Sequence, residues 1–521
     1  MSRPEPKPLV RRLAEAAACH PAGEAVVQGG CRVSYGELAD RAAAVAAFLR
    51  GEGLKKGERV ALLVQNSPEY IAAYYGALAA GGVVVGLNTA ARARDLSNWV
   101  RHCGARWLFA EASHPELAEL RADLGGGTGL VLLGSDCPCP VETVRDWEAL
   151  QEAHAGAGPD GLLEGEETCG EDLAAIIYTS GTTGQPKGVT LSHRNLASNI
   201  DSILEYLRLD ANDRVLNVLP FYYSYGNSVM HTHLAVGGCL ILENSLLYPR
   251  KVMETLVRER VTGFSGVPST YNLLLNRVDL ADYDLSSLRY LTQAGGAMAP
   301  ASIERVRALV PGAEFFVMYG QTEASARLSW LPPERLEQKM GSIGIAIPGV
   351  ELVLRDEHGQ PVAPGETGEI WARGDNIMQG YWRDPELTDA VLHEGWLKTG
   401  DLARQDEDGY FYIVGRSTEM IKSGAHRISP KEIEEVVLEL EGVEEVAAVG
   451  IPDEILGQII KLVVVPAPGA ELARREIQAH CRRQLASYKI PKQIEFVEQI
   501  PRTASGKVRR FLLQEPVMEQ G

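Results

Sequence analysis

The chain is poor in positive charge for its size: 51 lysines and arginines stand against 69 aspartates and glutamates, a net charge of −18. That balance argues against a general binder of nucleic acid or of anionic membranes, so a site for a polyphosphate must gather its cations locally. The eight cysteines, at 19, 31, 103, 137, 139, 169, 239 and 481, are scattered. Cys137-Pro-Cys139 has no second pair at ligand spacing and His231-Thr-His233 is as isolated, so neither is read as a metal site. The start, MSRPEPKPLVRRL, lacks the apolar core of a signal peptide, and with the cysteine usage it points to a reducing cytoplasm. Repeats and low-complexity tracts are missing too. Tyr70 to Ala91 carries no charge and is long enough to span a bilayer. Ser67-Pro68, however, reads as a helix start, Gly81-Gly82 as its stop, and VVVGLN as a β-branched strand, so a soluble helix-to-strand unit is expected.

Apolar residues make up 45% and charged residues 23%, ordinary values for a folded protein, and 521 residues exceed what one core organises. The first four hundred residues alternate helical and strand patterns. A capping box at Ser34-Tyr-Gly-Glu37 opens a helix through Arg50, and strands are expected at Arg59 to Val64 and Val83 to Val85. This is α/β texture with parallel sheets. Gly156 to Gly170 reads as a surface connection. From about Gly349, segments such as VELVLRDEHGQPV predict a small β-rich subdomain. After Gly415-Arg416 the pattern is a compact α+β one: a helix over Pro430 to Glu441, strands at Val446 to Ile451 and Leu462 to Val465, and a helix over Glu471 to Ala486. About 100 residues suffice for a separate domain.

YTSGTTGQPK, Tyr178 to Lys187, follows the apolar run Leu173 to Ile177 and has the make-up of a phosphate cradle. Thr179, Ser180, Thr182 and Thr183 supply hydroxyls, Gly181 and Gly184 let backbone N–H groups converge on an anion, and Lys187 adds a charge. The pattern of a P-loop NTPase fails, because Pro186 stands where that motif needs glycine and Gly188 follows the lysine. Further polar motifs recur at strand ends: Tyr319-Gly320-Gln-Thr322-Glu323, Lys398-Thr-Gly-Asp401, and Gly415-Arg416. An aromatic, carboxylates for ribose and Mg²⁺, and cations are the groups ATP requires. Taken singly, Glu323 reads as a solvated acid, Asp401 as a turn former and Tyr319 as core.

In this order, with QAGGAM (Gln293 to Met298), GEIWARGDNIMQGYW (Gly368 to Trp382), GRSTEMIKSGAHRISP (Gly415 to Pro430) and PRTASGK, the motifs resemble the adenylate-forming superfamily of acyl-CoA synthetases, adenylation domains and luciferases, from Ser34 to Lys507. The chain is most similar to a stand-alone AMP-forming acyl-CoA ligase. The resemblance implies a large N-terminal domain of two α/β sheets plus a small β-rich subdomain over residues 1–415, a hinge at 416–418, and a small mobile α+β domain over 419–521. It also implies a reaction: a carboxylic acid attacks the α-phosphate of MgATP, giving acyl-AMP and pyrophosphate, and a thiol then displaces AMP. Thr179 to Lys187 would hold the β- and γ-phosphates and Glu323 the Mg²⁺. Asp401 and Arg416 would bind ribose, and Gly295, Gly296 and Ala297 with Tyr319 would enclose adenine, Gly320 and Thr322 lying in the same turn. Lys507 would bridge the carboxylate and the α-phosphate. After rotation of the small domain, the turn Lys422-Ser423-Gly424 would meet the thiol. Two positions depart from the family pattern: Thr418 stands at the hinge in place of Asp or Lys, and Tyr223 in place of a histidine.

The layout draws the acid pocket from Tyr222, Tyr223, Asn227, Ser265, Val267 and Gly295. The segment Tyr222 to Ser228 lacks the acid that amino-acid-activating relatives use, and an ammonium without a partner there would be costly, so an aliphatic, alicyclic or aromatic acid is expected. Arg327 is expected to face solvent, the alternative being contact with a second carboxylate. CoA is the favoured thiol and the phosphopantetheine of a separate carrier protein the alternative. Luciferase-like oxidation and a non-catalytic nucleotide binder are the other readings. The joint presence of Lys187, Glu323, Asp401, Arg416 and Lys507 speaks against the last.

Overall fold

A computed structural model describes residues 5–134, 144–165, 168–179, 187–416, 419–423, 426–453, 455–502 and 508–514. Its largest sheet has nine strands. Six of them run parallel side by side: Glu314–Tyr319, Tyr290–Gln293, Gly263–Gly266, Arg214–Asn217, Cys239–Leu242 and Glu24–Gln28. From Arg214–Asn217 the chain crosses by the helix Ser224–Val236 to Cys239–Leu242 on one side. It then returns by Pro249–Arg258 to Gly263–Gly266 on the other. Such a reversal opens a crevice at the carboxyl ends of the strands.

The second sheet has eight strands, with Arg59–Leu63, Val83–Gly86, Ala105–Glu111 and Gly129–Leu133 parallel. At its other side lies the antiparallel hairpin Leu173–Thr179 with Lys187–Ser192, edged by Gly380–Tyr381. Helices between the two sheets bury a shared apolar core that includes Val26 and Leu240 of one sheet and Val60 and Leu191 of the other. Local chemistry explains their starts. The Ser34 side chain accepts from Glu37 N–H in a full capping box, and Ser67 accepts from Tyr70 N–H ahead of Pro68. Gly76 on the second of these helices lets Tyr35–Gly51 approach, since a Cβ there would sit 2.5 Å from Val45. The uncharged stretch after Ser67 is a 12-residue helix, a turn at Gly81 and the strand Val83–Gly86, and among the described residues no helix is long and apolar enough to cross a membrane.

The β-rich subdomain is an antiparallel sheet of Val350–Arg355, Gly368–Gly374, Leu392–His393, Trp396–Gln405 and Phe411–Arg416. The smaller C-terminal α+β domain packs Pro430–Leu438 and Arg474–Gln484 on a sheet built around the long hairpin Val443–Asp453 and Gly457–Pro466. Both helices are shorter than the sequence patterns suggest and both strands longer. The edges between helix and strand fall where Gly442 takes φ +92° and Ala473 is extended. Gly156 to Gly170 is not wholly a surface connection: Gly158–Gly161 is a helical turn, and Leu162 is buried in the main core.

His193, His231 and His233 are buried in the helix layer. His231 meets the Tyr75 hydroxyl at 2.8 Å and His233 that of Tyr290 at 2.7 Å, so the two rings serve different partners. Burial lowers His193 and His233 to about 4 and His231 to about 3. All three are neutral when folded near pH 6, whereas the unfolded chain takes up protons near 6.5. Between those values the unfolded state binds more protons, so stability is present above pH 6.5 and lost as pH falls, at about 1.4 kcal/mol per pH unit for each histidine. Thermal melts should therefore show Tm dropping steeply between pH 6.5 and 4.5, with a shallower drop in His231→Gln. A flat Tm over that window would contradict the assignment.

Candidate active site

Asp401 lies within the strand Trp396–Gln405, opposite Arg416 in the register. Its carboxylate accepts from the Tyr319 hydroxyl at 2.6 Å through one oxygen and pairs with Arg416 Nε at 2.9 Å through the other. Tyr319 ends a parallel strand of the nine-stranded sheet, so this contact ties that sheet to the β-rich subdomain. Burial, then the charge of Asp401, pushes the Tyr319 phenol well above its ordinary value and keeps it a donor. Asp401 raises the Arg416 guanidinium in turn, and Arg416 remains 44% exposed, able to meet a second anionic or hydroxyl group. Thr399 shapes the turn, its hydroxyl accepting from Asp401 N–H at 3.1 Å.

Tyr319, Gly320, Thr322 and Glu323 form one turn at the crevice, with a short 3₁₀ segment over Thr322–Ala324. A Cβ on Gly320 would sit 2.0 Å from the Ala326 carbonyl oxygen, which explains the glycine. The Thr322 hydroxyl meets that of Ser224 at 3.3 Å, the first residue of the helix that follows the crevice strand Arg214–Asn217. One Glu323 oxygen accepts from the Tyr381 hydroxyl at 2.9 Å, and the other has no hydrogen-bond partner among the described residues. Gly380–Tyr381 pairs with the strand that starts at Lys187. Tyr381 therefore links Glu323 to the root of the glycine-rich segment, and Glu323 helps push the phenol above its ordinary value, after burial.

Only the two ends of that segment are among the described residues, and they pair with each other. Tyr178 and Thr179 complete one strand, Lys187 begins the next opposite Thr179, and Lys187 is half-buried at the root. Tyr178 belongs to the core and its hydroxyl reaches His102 at 2.8 Å. Ser180, Gly181, Thr182, Thr183 and Gly184 lie outside the described residues, as do Thr418, Gly424 and Lys507. Gly295, Gly296 and Ala297 form an exposed backbone edge beyond Tyr290–Gln293, with Gly295 at φ +87° and the Gln293 side chain donating to Gly296 O at 2.7 Å. Lys422 is exposed on the short strand Ile421–Ser423, its N–H donating to Gln458 at 2.7 Å, and Ser423 is buried. Among the described residues neither bonds to Tyr319, Glu323 or Asp401.

Of the expected acid-pocket residues, Tyr222 packs its ring 4.6 Å from that of Tyr223, at the entry to the crevice helix. Asn66 pins this entry, accepting from Phe221 N–H at 2.8 Å and donating to Leu219 O at 2.8 Å. Val267 is half-buried, while Asn227 and Ser265 are sealed. Ser265 accepts from Thr292 Oγ1 at 2.8 Å, and Thr292 also meets the Tyr225 hydroxyl at 2.8 Å. Tyr225 was not expected from sequence, although the aromatic-glycine run around it was the available signal. The expectation for Arg327 is overturned: it is buried, with its guanidinium 4.2 Å above the Tyr225 ring. Charge alone suggested solvent; the turn after Glu323 sends the side chain inward.

Known proteins resemble the chain over nearly its whole length. The family profile of AMP-binding enzyme matches residues 13–382, and that of AMP-binding enzyme C-terminal domain matches residues 432–507. The chain is 36% identical to a feruloyl-CoA synthase of Amycolatopsis sp over 94% of either chain. It is 32% identical to a long-chain-fatty-acid–CoA ligase of Bacillus subtilis (strain 168), over 98% of this chain and 94% of that one. The fold superposes on the anthranilate CoA ligase AuaEII in complex with anthranoyl-AMP with a TM-score of 0.88 at 27% identity, over 98% and 97% of the two chains.

Proposed function

The chain belongs to the AMP-binding enzyme family, as an adenylate-forming acyl-CoA ligase, and on that premise we propose how its own residues divide the reaction. The enzyme uses ATP to convert a carboxylic acid to acyl-AMP with release of pyrophosphate, and then forms the CoA thioester with release of AMP. Activation is needed because a free carboxylate is a poor acyl donor, whereas AMP leaves readily.

In our reading Asp401 accepts ribose hydroxyls, since a carboxylate has lone pairs beyond the two used by Tyr319 and Arg416. Tyr319 and the exposed edge Gly295 to Ala297 bound the adenine. Lys187 and the hydroxyl-rich segment before it hold the β- and γ-phosphates. Glu323 fits a Mg²⁺ ligand, one oxygen being fixed by Tyr381 and the other open at the crevice. Mg²⁺ held there would offset phosphate charge. Lys507 sits on the mobile domain and meets the reacting carboxylate and α-phosphate, and Lys422 with Ser423 and Gly424 serves the thiol step. The hinge at 416–418 begins with Arg416 itself, which is anchored to Asp401, so rotation of residues 419–521 would pivot next to the ribose. The pocket around Tyr222, Tyr223 and Val267 takes a non-amino carboxylic acid. We assign the enzyme to the cytoplasm, where the unpaired thiols at Cys19, Cys31 and Cys169 stay reduced.

The observation that carries this assignment is the Tyr319–Asp401–Arg416 contact beside Glu323 at the strand ends. A pyrophosphate-release screen over carboxylic acids, with mass spectrometry of the products, tests it. Acid-dependent pyrophosphate and a CoA-dependent acyl thioester are expected. Thioester formed on a holo-carrier protein but not on CoA would change the acceptor, and ATP binding without pyrophosphate from any acid would overturn catalysis.

A further inference from the structure

Six charged side chains are buried among the described residues: Asp213, Glu243, Glu259, Arg327, Asp401 and Lys461. Five face an opposite charge. Asp213 pairs with Arg289 at 2.7 Å, Glu243 with Lys251 at 3.0 Å, Glu259 with Arg32 at 2.9 Å, Asp401 with Arg416 at 2.9 Å, and Lys461 with Glu495 at 2.8 Å. Arg327 has no carboxylate partner among the described residues. A buried guanidinium without an anion is costly, so its burial calls for a reason.

The backbone is strained to put it there. Ser325 and Ala326 both take positive φ, +56° and +114°, and neither is a glycine. The Arg327 carbonyl is then clamped by Asn376 Nδ2 at 2.8 Å and Asn199 Nδ2 at 3.2 Å. Nη1 donates to Ala326 O at 3.3 Å. Nε meets the Met318 sulfur at 3.3 Å, a weak acceptor, and the other polar group beside the guanidinium is the neutral Tyr206 hydroxyl, itself 3.1 Å from that sulfur. Nε and Nη2 form the two-pronged edge with which arginine grips a carboxylate. Its position is also specific: four residues beyond Glu323, and stacked on Tyr225, whose hydroxyl runs through Thr292 to Ser265 of the acid pocket.

We propose that Arg327 receives a second carboxylate of the acid, so that the enzyme activates dicarboxylic acids. This rests on the assignment of the site to acid activation. With one carboxylate held on the Nε–Nη2 edge and neutralised, the other end of the molecule is left to meet ATP. A neutral aliphatic tail would instead leave the guanidinium buried and unpaired.

The test is pyrophosphate release from matched pairs, octanedioate with octanoate and benzene-1,4-dicarboxylate with benzoate, with mass spectrometry of the CoA products. At least one dicarboxylate should exceed its partner about tenfold or more in kcat/KM on the wild-type enzyme. Arg327→Met should lose that preference through the KM for the acid, with the KM for ATP unchanged, and Arg327→Lys should keep part of it. Should Arg327→Met fail to fold, the wild-type pairs and Arg327→Lys still decide. Monocarboxylates preferred by the wild type, or a preference untouched at residue 327, would overturn this inference and leave acid activation standing. Pyrophosphate from none of the four would overturn this inference, and silence across the broader acid screen as well would overturn the reading on which it rests.

Discussion

Replacing Lys507 with alanine is expected to lower acid-dependent pyrophosphate release by about 10²- to 10³-fold, the loss typical when one preorganised donor is removed from a developing charge. The conversion of a supplied acyl-adenylate and CoA to thioester should stay within about threefold of wild type on the same scale. The reason for the split is chemical. In the first half-reaction two anions, the carboxylate and the α-phosphate, must approach, and a cation between them is worth most in the transition state. In the second, AMP leaves from a mixed anhydride already formed, and in the rotation we propose the small domain turns a different face to the site. Lys422→Ala is the reciprocal control, slowing thioester formation while leaving pyrophosphate exchange intact. Stopped-time assays of the separated half-reactions decide the matter, since an equal fall of both in Lys507→Ala would mean that the two lysines do not divide the steps.

The groups we assign to the nucleotide could be picked out in the sequence because each sits in a short motif at a strand end, where backbone turns and polar residues coincide. Glu323 follows the strand Glu314–Tyr319, and Asp401 and Arg416 face each other across two paired strands. Helix starts were legible for a similar reason: Ser34 with Glu37, and Ser67 with Pro68, act over three or four residues. What escaped were contacts between residues far apart in the chain. Nothing near Glu323 announces that Tyr381 will hold it, because that contact depends on Gly380–Tyr381 joining the edge of the other sheet. Arg327 is the sharper case. Composition places an arginine in water, but the positive φ values at Ser325 and Ala326 turn it onto Tyr225, and neither residue type signals such a backbone. The strand lengths in the C-terminal domain were underestimated likewise, since the pairing that extends Val443–Asp453 along Gly457–Pro466 is itself the stabilising element.

Asp401→Ala should reduce kcat/KM for ATP by about 10²- to 10³-fold, with a far smaller effect on the KM for the acid. Two hydrogen bonds from ribose hydroxyls to a charged acceptor contribute about 1.5 to 2 kcal/mol each, and their joint loss of about 3 to 4 kcal/mol corresponds to that factor. The same substitution also removes the acceptor of the Tyr319 hydroxyl and the partner of Arg416. Arg416 is 44% exposed, so water can replace the carboxylate there and little stability is lost. Tyr319 loses its positional lock, and the ring we assign to adenine becomes free to turn. Asp401→Asn separates these effects. It keeps an oxygen for Tyr319 but surrenders the charge seen by Arg416 and ribose, so its loss should be about tenfold, near the value of one charge-assisted bond. Melting curves give the needed check: Tm for the two variants should differ little while kcat/KM for ATP differs by about tenfold or more. If the activity loss followed Tm instead, Asp401 would be joining the β-rich subdomain to the nine-stranded sheet without holding ribose.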